Sequence, residues 1–300
     1  MGHDTIGVIG IGSMGWQMAA HLVRGGLQVL AYDADRERCE RFAREFSTRQ
    51  PTSVRDLAGA SVVMTMLPTG AIVRQVLTDG GEASLVNTLL PGSVVLDTTS
   101  SVPAGTRELG AMLARRGVAM VDAPVSGAVT GATEGNLVFM IGADDPASIE
   151  KVIPLLSLLG KRMFRTGPLG SGHAMKSMNN FVAGAAYAAS CEALIIGQKY
   201  GLDPGTMIDI LNVSTGRNHA TERNMKKIVE RTFNGTFQLG LFTKDLKIAA
   251  EMADTMGVAA PISHLIHDWM AEARDNIGGT GDHTTAYLYW EQKARASAKE

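Results

Sequence analysis

The sequence predicts an α/β protein with a doubly wound sheet in its first part and only helices in its second. Apolar, β-branched segments alternate with helical patterns up to Gly142, and the first such segment runs into a Gly-x-Gly-x-x-Gly turn. After Gly170 the pattern becomes exclusively helical. We therefore predict a Rossmann-type sheet domain at residues 1–168. An all-α C-terminal domain at residues 169–300 is joined to it by a long interdomain helix.

The composition is that of an ordinary globular chain. Of its 300 residues 45% are hydrophobic and 19% are charged, and the net charge of -2 argues against nucleic acid as a partner. Residues 1–4 lack the basic n-region of a signal peptide, so we expect none. The sequence also has no run of about 18 apolar residues that would span a membrane. Cys39 and Cys191 have no metal-ligand spacing, so we interpret them as structural thiols and expect no metal site. We expect a cytoplasmic enzyme.

A βαβ unit opens the chain. A buried strand over Thr5–Ile9 leads into the glycine turn, and a helix and a second strand over Gln28–Tyr32 end at Asp33. The first glycine permits the tight turn, the second lets backbone N–H groups approach a pyrophosphate, and the third lets helix and strand pack closely. The residues predicted to hold the dinucleotide here are Gly10, Ile11, Gly12, Ser13, Met14 and Gly15.

Asp33 also indicates which dinucleotide is bound. A carboxylate at this position accepts hydrogen bonds from the ribose hydroxyls and repels a 2′-phosphate. Asp35 adds a second acid, and Arg36 and Arg38 are the cations nearby. Arg36 could bind a 2′-phosphate, but we interpret it as a solvated helix residue. NAD is therefore favoured over NADP.

Further strands indicate where the site lies. They are predicted over 61–68, 93–97, 119–124 and 137–142. Ligands of open α/β sheets lie outside the carboxyl ends of the strands, so the loops after Leu67, Asp97 and Pro124 should line one crevice. The last of these loops contains Ser126, whose hydroxyl and neighbouring N–H groups could hold a carboxylate, although a plain turn is equally compatible with the sequence.

Lys176 and Asn180 lie four residues apart near the start of the long helix, among small residues, so they project from one face. Oxidation of an alcohol requires a group that takes the hydroxyl proton, and Lys176 is the best-placed candidate. Asn180 could hold the hydroxyl by a hydrogen bond.

Five motifs in order resemble the β-hydroxyacid dehydrogenase family, of which 3-hydroxyisobutyrate dehydrogenase is the usual representative. The resemblance covers nearly the whole chain. The motifs are the glycine turn, Thr65-Met66-Leu67-Pro68, Asp122-Ala123-Pro124-Val125-Ser126-Gly127 with Gly131 and Gly135-Asn136-Leu137, Gly170-x-Gly172-x-x-x-Lys176-x-x-Asn179-Asn180, and Lys244-Asp245-Leu246.

The resemblance implies a role for each motif. Lys176 would be the general acid/base, and Asn180 the amide that orients the hydroxyl. The substrate carboxylate would be bound at Ser126 and Gly127, followed by Ala128 where the family usually has a second glycine. Met66, Leu67, Pro68 and Ser100 would contact the cofactor, and Lys244 would close over the nicotinamide and the substrate.

The expected reaction is NAD-dependent oxidation of the 3-hydroxyl of a small, anionic 3-hydroxy carboxylic acid to the semialdehyde or 3-oxo acid. Related phosphogluconate dehydrogenases have His and Glu where this chain has Asn179 and Ala183, so we expect no decarboxylation. An NADPH-dependent reductase of semialdehyde or glyoxylate-type substrates is the alternative. A nucleotide-sensing protein without turnover is disfavoured by the Lys176/Asn180 pair.

Two other features remain open at the level of sequence. Arg217 and Asn218, followed by His219, could bind extra hydroxyls of a polyhydroxylated acid such as threonate, or could simply stabilise a loop. His264 and His267 are interpreted as surface residues rather than metal ligands. By resemblance to the family, the helical domain is expected to assemble the chain into a homodimer or homotetramer.

Overall fold

The computed structural model describes residues 5–235 and 237–296. The chain packs into two compact units, one ending at Lys176 and the other beginning at Ser177. The first unit contains the sheet with its flanking helices, and the second contains helices. This arrangement confirms the predicted fold class.

The first unit is organised around a mixed eight-stranded sheet. Its strands are β1 (Thr5–Ile9), β2 (Gln28–Tyr32), β3 (Val62–Thr65), β4 (Val94–Asp97), β5 (Ala119–Asp122), β6 (Val125–Ser126), β7 (Leu137–Gly142) and β8 (Gly160–Gly167). The spatial order is β2-β1-β3-β4-β5-β7-β6, with β8 beside β7. The first five strands are parallel, and the order reverses between β1 and β3. That reversal is the position at which folds of this type bind a nucleotide.

Two of these strands, β6 and β8, were not predicted. The strand β6 has only two residues and pairs antiparallel with β7, which is too short a stretch for a periodic pattern. The strand β8 is mostly exposed and includes Lys161, Arg162 and Arg165, so it lacks the buried apolar pattern of the central strands. Charged side chains of this kind are usual on a strand at the edge of a sheet.

In the described part of the first unit, seven α-helices flank the sheet: α1 (Ser13–Arg24), α2 (Arg36–Phe46), α3 (Gly70–Thr78), α4 (Leu85–Thr88), α5 (Pro103–Ala114), α6 (Ala128–Glu134) and α7 (Pro146–Leu159). Alternate strand residues contribute to two separate cores. Met64 and Leu96 pack with side chains of α1 and α7, whereas Val63 and Val95 pack with side chains of α3 and α5. Both faces of the sheet are therefore covered, which explains why its central strands are buried throughout.

The long helix α8 (Ser171–Tyr200) begins in the first unit and continues into the second. The other helices of the second unit are α9 (Pro204–Val213), α10 (Lys226–Val229), α11 (Leu239–Thr255), α12 (Pro261–Ile277) and α13 (Ala286–Ala296), with a π-helical turn at Thr221–Met225. Its core includes Tyr187, Leu246, Met270 and Trp290. The apolar pattern of the sequence predicts that this helix starts near Lys244, but α11 begins at Leu239, because Leu239 and Phe242 are buried and hold its first turn.

Among the described residues, α8 is the one helix with the length and apolar composition of a membrane span, which the sequence was not expected to contain. An 18-residue window of it has a mean hydropathy of 1.3, and half of that window is buried inside the protein. A core helix rich in alanine and small apolar residues meets the same criteria.

Candidate active site

The turn between β1 and α1 is shaped by its three glycines. Gly10 has a φ of +91°, and a Cβ atom there would lie 2.4 Å from the carbonyl oxygen of Met66. A Cβ atom at Gly15 would lie 1.9 Å from the carbonyl oxygen of Gly10, whereas the space beside Gly12 is open. No side chain caps the first turn of α1, which begins after Gly12. The turn therefore presents an uncrowded backbone at the positive end of a helix, which fits the pyrophosphate of a dinucleotide.

Asp33 lies directly after β2, beside this turn. Its Oδ2 accepts hydrogen bonds from the backbone N–H of Ile11 at 2.9 Å and from the guanidinium of Arg38 at 3.2 Å. Its Oδ1 accepts from the backbone N–H of Asp35 at 3.0 Å, and the side chain of Asp35 pairs with Arg38 at 3.3 Å. Three donors thus hold the Asp33 carboxylate in one orientation.

A pocket adjoins this carboxylate. It is lined by Ile11, Gly12, Ser13, Trp16, Gln17, Arg38 and Arg41. The guanidinium of Arg41 lies over the Trp16 ring, 4.3 Å from its centroid. Arg36 is exposed and pairs with Glu40 at 3.2 Å, which is the behaviour of a solvated helix residue.

The loops after β3 and β4 are joined to each other and to the glycine turn. The hydroxyl of Thr65 donates to Asp97 Oδ1 at 2.8 Å, and the backbone N–H of Leu67 donates to the hydroxyl of Thr99 at 3.1 Å. A Cβ atom at Gly10 would also lie 2.8 Å from Leu67 Cδ2. Met66 and Leu67 therefore lie beside the turn. Pro68 and Ser100 follow in the same two loops.

The predicted carboxylate-binding turn follows β6. Ser126 ends this strand opposite Val138, and Gly127 precedes the first turn of α6 with a φ of +135°. Ala128 has a φ of +55°, in the left-handed region that favours glycine. This alanine stands where the family usually has glycine, and the backbone nevertheless adopts the conformation that glycine would allow.

A buried cluster adjoins the start of α8 and was missed at the level of sequence. The ring of His173 lies between the carboxylates of Asp97 and Asp122, 3.7 Å from each, and its Nδ1 is 2.8 Å from the hydroxyl of Thr106. Asp122 also accepts backbone N–H groups from the start of α8. Acids at the ends of two predicted strands, followed by a histidine in a glycine-rich segment, were the signal that could have indicated this cluster.

The two predicted catalytic residues lie on α8. Lys176 is half-buried in the second turn of the helix, at the end of the first unit. Asn180 is buried in the second unit, where its Nδ2 donates to Asp245 Oδ2 at 2.6 Å. The ammonium of Lys244 lies 3.1 Å from Asp245 Oδ1. Asp245 therefore joins two of the predicted site residues, although no role had been assigned to it from the sequence.

The contacts thus bring together two sets of predicted residues. Within the first unit, the glycine turn, Asp33 and the loops after β3 and β4 are in direct contact. Within the second unit, Asn180 and Lys244 share Asp245.

Arg217 and Asn218 make local contacts in the loop after α9. The guanidinium of Arg217 donates to Glu222 at 2.6 Å. Asn218 Oδ1 accepts the backbone N–H groups of Ala220 and Thr221, and its Nδ2 donates to the carbonyl of Gly216 at 2.9 Å. These contacts are those of a stabilised loop with an Asx-type cap.

The histidines and cysteines that could have been metal ligands or reactive thiols lie in ordinary structural environments. Within residues 5–235 and 237–296, no three His, Cys, Asp or Glu side chains are grouped as a metal site. His264 and His267 each lie beside a single aspartate. Cys39 and Cys191 are free and buried, and burial raises the pKa of both thiols.

Two family models match the chain. One, described as the NAD binding domain of 6-phosphogluconate dehydrogenase, matches residues 5–167. The other, described as the NAD-binding of NADP-dependent 3-hydroxyisobutyrate dehydrogenase, matches residues 170–290.

Similar proteins extend over nearly the same length. The 2-(hydroxymethyl)glutarate dehydrogenase of Eubacterium barkeri is 33% identical, over 97% of this chain and 96% of its own. The NAD-dependent L-serine dehydrogenase of Pseudomonas aeruginosa is 32% identical, over 87% of this chain and 89% of its own. The solved structure of Mycobacterium tuberculosis 3-hydroxyisobutyrate dehydrogenase with L-serine is 28% identical and superposes with a TM-score of 0.87, over 96% of this chain and 99% of that one.

The glycine turn, the sheet order and these similarities define an oxidoreductase that uses a nicotinamide cofactor. The chain belongs to the β-hydroxyacid dehydrogenase family. It is an NAD(P)-dependent dehydrogenase of a hydroxy acid.

Proposed function

We propose that this enzyme uses NAD to oxidise the 3-hydroxyl of a small 3-hydroxy carboxylic acid to the semialdehyde or 3-oxo acid, without decarboxylation. Lys176 acts as general acid/base. The observation that carries the proposal is Lys176 on a helix whose start is fixed to the carboxyl end of β5, at the edge of the sheet where this fold binds ligands.

The relatives support this substrate class. Each of the acids in their names, 2-(hydroxymethyl)glutarate, 3-hydroxyisobutyrate and L-serine, has a hydroxymethyl group on the carbon that bears a carboxylate. A site for such acids needs a carboxylate-binding turn and a proton acceptor two carbons away. Ser126, Gly127 and Ala128 are the proposed turn.

The chemistry is divided between cofactor and protein. A nicotinamide cofactor held by the glycine turn and Asp33 would supply the acceptor for the hydride of the hydroxyl-bearing carbon. Lys176 takes the hydroxyl proton as the carbonyl forms and returns it in the reverse direction. Asn180 orients the hydroxyl, and its hydrogen bond to Asp245 fixes the orientation of the amide. Lys244, which is paired with the same aspartate, is the residue proposed to close over the substrate and the nicotinamide.

Retention of the product carboxylate follows from the residues around Lys176. After oxidation of a 3-hydroxy acid, loss of CO2 leaves a carbanion that must be protonated, and phosphogluconate dehydrogenases carry an acid for this step. Ala183 stands at that position here and supplies no proton.

NAD is the proposed cofactor. The glycine turn fits the pyrophosphate, and the orientation of the Asp33 carboxylate beside it suits the ribose hydroxyls. Arg38 is paired with both Asp33 and Asp35, so its charge is largely compensated. A 2′-phosphate would meet two carboxylates, which disfavours NADP. We expect kcat/KM for NAD to exceed that for NADP by about tenfold or more, since a hydrogen bond to a charged group contributes about 1.5–3 kcal/mol. Equal values would favour the reductase alternative.

A polyhydroxylated substrate such as threonate has weaker support. Arg217 and Asn218, which would bind the extra hydroxyls, are engaged with Glu222 and the backbone of their own loop. They remain proposed substrate residues only if this loop rearranges.

The test of the function is the exchange of Lys176 for alanine. With 3-hydroxyisobutyrate, L-serine, 2-(hydroxymethyl)glutarate and threonate as substrates and NADH formation as the readout, Lys176→Ala should lower kcat by about 10²–10⁴-fold, the usual contribution of a general base. The Kd for NAD should stay near that of the wild type. Lys247→Ala, at an exposed lysine of α11, is the matched control and should keep full kcat. Near wild-type kcat in Lys176→Ala would exclude Lys176 as the base.

A further inference from the structure

The cluster around His173 has no part in the chemistry proposed above. Asp97 and Asp122 are opposite each other in the register of β4 and β5, and both side chains are buried. Two buried carboxylates at neighbouring strand ends repel each other and are costly to desolvate. The imidazole of His173 lies between them, and its Nδ1 is hydrogen-bonded to the hydroxyl of Thr106.

Asp122 has a second set of partners in the first turn of α8. Its Oδ1 accepts the backbone N–H of Gly170, and its Oδ2 accepts the backbone N–H of His173, each at 2.7 Å. The first N–H groups of a helix have no partner within the helix, so a carboxylate that accepts two of them fixes where the helix starts. This contact spans 48 and 51 residues of sequence and therefore connects the end of β5 to α8.

The glycines around Asp122 make this junction close. A Cβ atom at Gly172 would lie 2.8 Å from Asp122 Oδ2 and 2.2 Å from the carbonyl oxygen of Met140. A Cβ atom at Gly142 would lie 2.5 Å from Asp122 Oδ1. The helix start is thus packed directly on the strand ends, with no room for a side chain between them.

We propose that Asp122 is a positioning residue for Lys176, holding the lysine-bearing turn of α8 in register with the strand end that leads to Ser126 and Gly127. The inference rests on the proposed role of Lys176. Asp122 precedes Ser126 by four residues, and His173 precedes Lys176 by three. The side chain of Asp122 therefore fixes the backbone that carries Lys176 relative to the backbone of Ser126 and Gly127, the turn proposed to bind the substrate carboxylate.

The ionised carboxylate of Asp122 can accept both N–H groups, because neither of its oxygens carries a proton. Burial raises the pKa of its carboxyl, while His173 and the N–H groups of Gly170 and His173 act in the opposite direction. The histidine and the helix start thus compensate part of the cost of burying this charge.

Asp122→Asn is the test, because it keeps the size of the side chain but replaces one acceptor oxygen with an NH2 group. That group would face a backbone N–H of α8 and displace the first turn. We expect kcat to fall by about 10²-fold, since a displacement of about 1 Å in a reacting group can have an effect of this size. The Kd for NAD should change by less than about twofold, because the glycine turn is untouched.

A double-mutant cycle separates positioning from a general loss of structure. If Asp122 acts through Lys176, the residual kcat of Lys176→Ala, measured over long incubations, should change by less than about twofold when Asp122→Asn is added. The same fold loss in both backgrounds would overturn the proposal, as would an unchanged kcat in the single Asp122→Asn variant.

Asp144→Asn is the matched control. Its Oδ1 accepts the backbone N–H of Leu169 at 3.0 Å, just before α8, but the side chain is exposed and outside the cluster. This variant should keep its kcat.

Thr106→Val gives a second, milder variant in case Asp122→Asn does not fold. It removes the hydroxyl that fixes His173 and should lower kcat by about three- to tenfold, again without effect in the Lys176→Ala background. An unchanged kcat in Thr106→Val, or an equal loss in both backgrounds, would overturn the proposal. A failure of the proposed function is distinct, because Lys176→Ala alone would then retain wild-type kcat.

Discussion

Single residues show where local sequence rules and the fold disagree. Ala128 holds a left-handed backbone conformation that a β-carbon disfavours, directly after Gly127 in the proposed carboxylate turn. The family pattern indicated that alanine replaces glycine at position 128, but the positive φ of Ala128 was revealed only by the structure. Strain of this kind persists when the surrounding backbone is fixed by other contacts, here by the pairing of β6 with β7 and by α6.

We expect Ala128→Gly to stabilise the protein. The left-handed conformation costs an L-residue about 1–2 kcal/mol, and glycine loses about 0.5–1 kcal/mol more backbone entropy on folding. The net gain should be about 0.5–1 kcal/mol, or roughly 1–4 °C in Tm by thermal unfolding. Ala132→Gly, in the regular part of α6, should lower Tm and serves as the control. A lower Tm for Ala128→Gly would contradict the assigned backbone strain.

At the level of elements, the apolar pattern predicted the central strands well because they are buried, and α8 well because it is long. It did not predict β6 or β8, whose positions depend on pairing with β7 rather than on their own sequence. A helix is predicted over roughly Thr221–Glu230, but its π-helical first part at Thr221–Met225 was not. Its Asn224 bonds to His283, which lies in a short 3-10 helix before α13, so the two elements are held together by side chains distant in sequence.

That contact makes stability depend on pH. The Nδ1 of His283 donates to the carbonyl of Phe237 and its Nε2 accepts from Asn224, an arrangement that only the neutral ring satisfies. Burial lowers the pKa of His283 below its usual 6.5, while Asp282 opposes this shift. Because the unfolded histidine binds a proton more readily, stability should fall as the pH drops below about 6.5.

Thermal unfolding between pH 7.5 and pH 5.5 measures this effect. The decrease in Tm on acidification should be smaller in His283→Asn than in the wild type, because the titrating group is gone. His264→Asn, at an exposed histidine, should leave the decrease unchanged. An identical pH dependence in the wild type and His283→Asn would show that His283 does not titrate differently in the folded state.

At the level of the whole molecule, motif order predicted the family and the succession of sheet and helices. The glycine turn and the long helix after Gly170 were predicted from spacing, because these features depend on local backbone geometry. The roles of Asp33 and Lys176 stay predictions. The contacts of Asp122, His173 and Asp245 were not predicted, since each depends on which distant segments pack together.

We propose that the chain forms a homodimer or homotetramer through its second unit. Apolar side chains are exposed there on α8, α9 and α12, including Val182, Val213 and Leu265, with Val213 86% exposed. Light scattering after size exclusion should give a mass two or four times 31.8 kDa. Val213→Glu should shift the mass downward, whereas Leu90→Glu on the first unit should not. A wild-type mass of one chain would refute the proposal.

The contact between Asp122 and the start of α8 also bears on the order in which the chain can complete its fold. During synthesis β4 and β5 emerge long before Gly170 and His173, so their terminal carboxylates are produced without the groups that later satisfy them. The sheet domain is therefore finished only when the first turn of α8 has left the ribosome. A chain cut at residue 168 would retain every predicted strand and still lack the segment that makes burial of Asp122 tolerable.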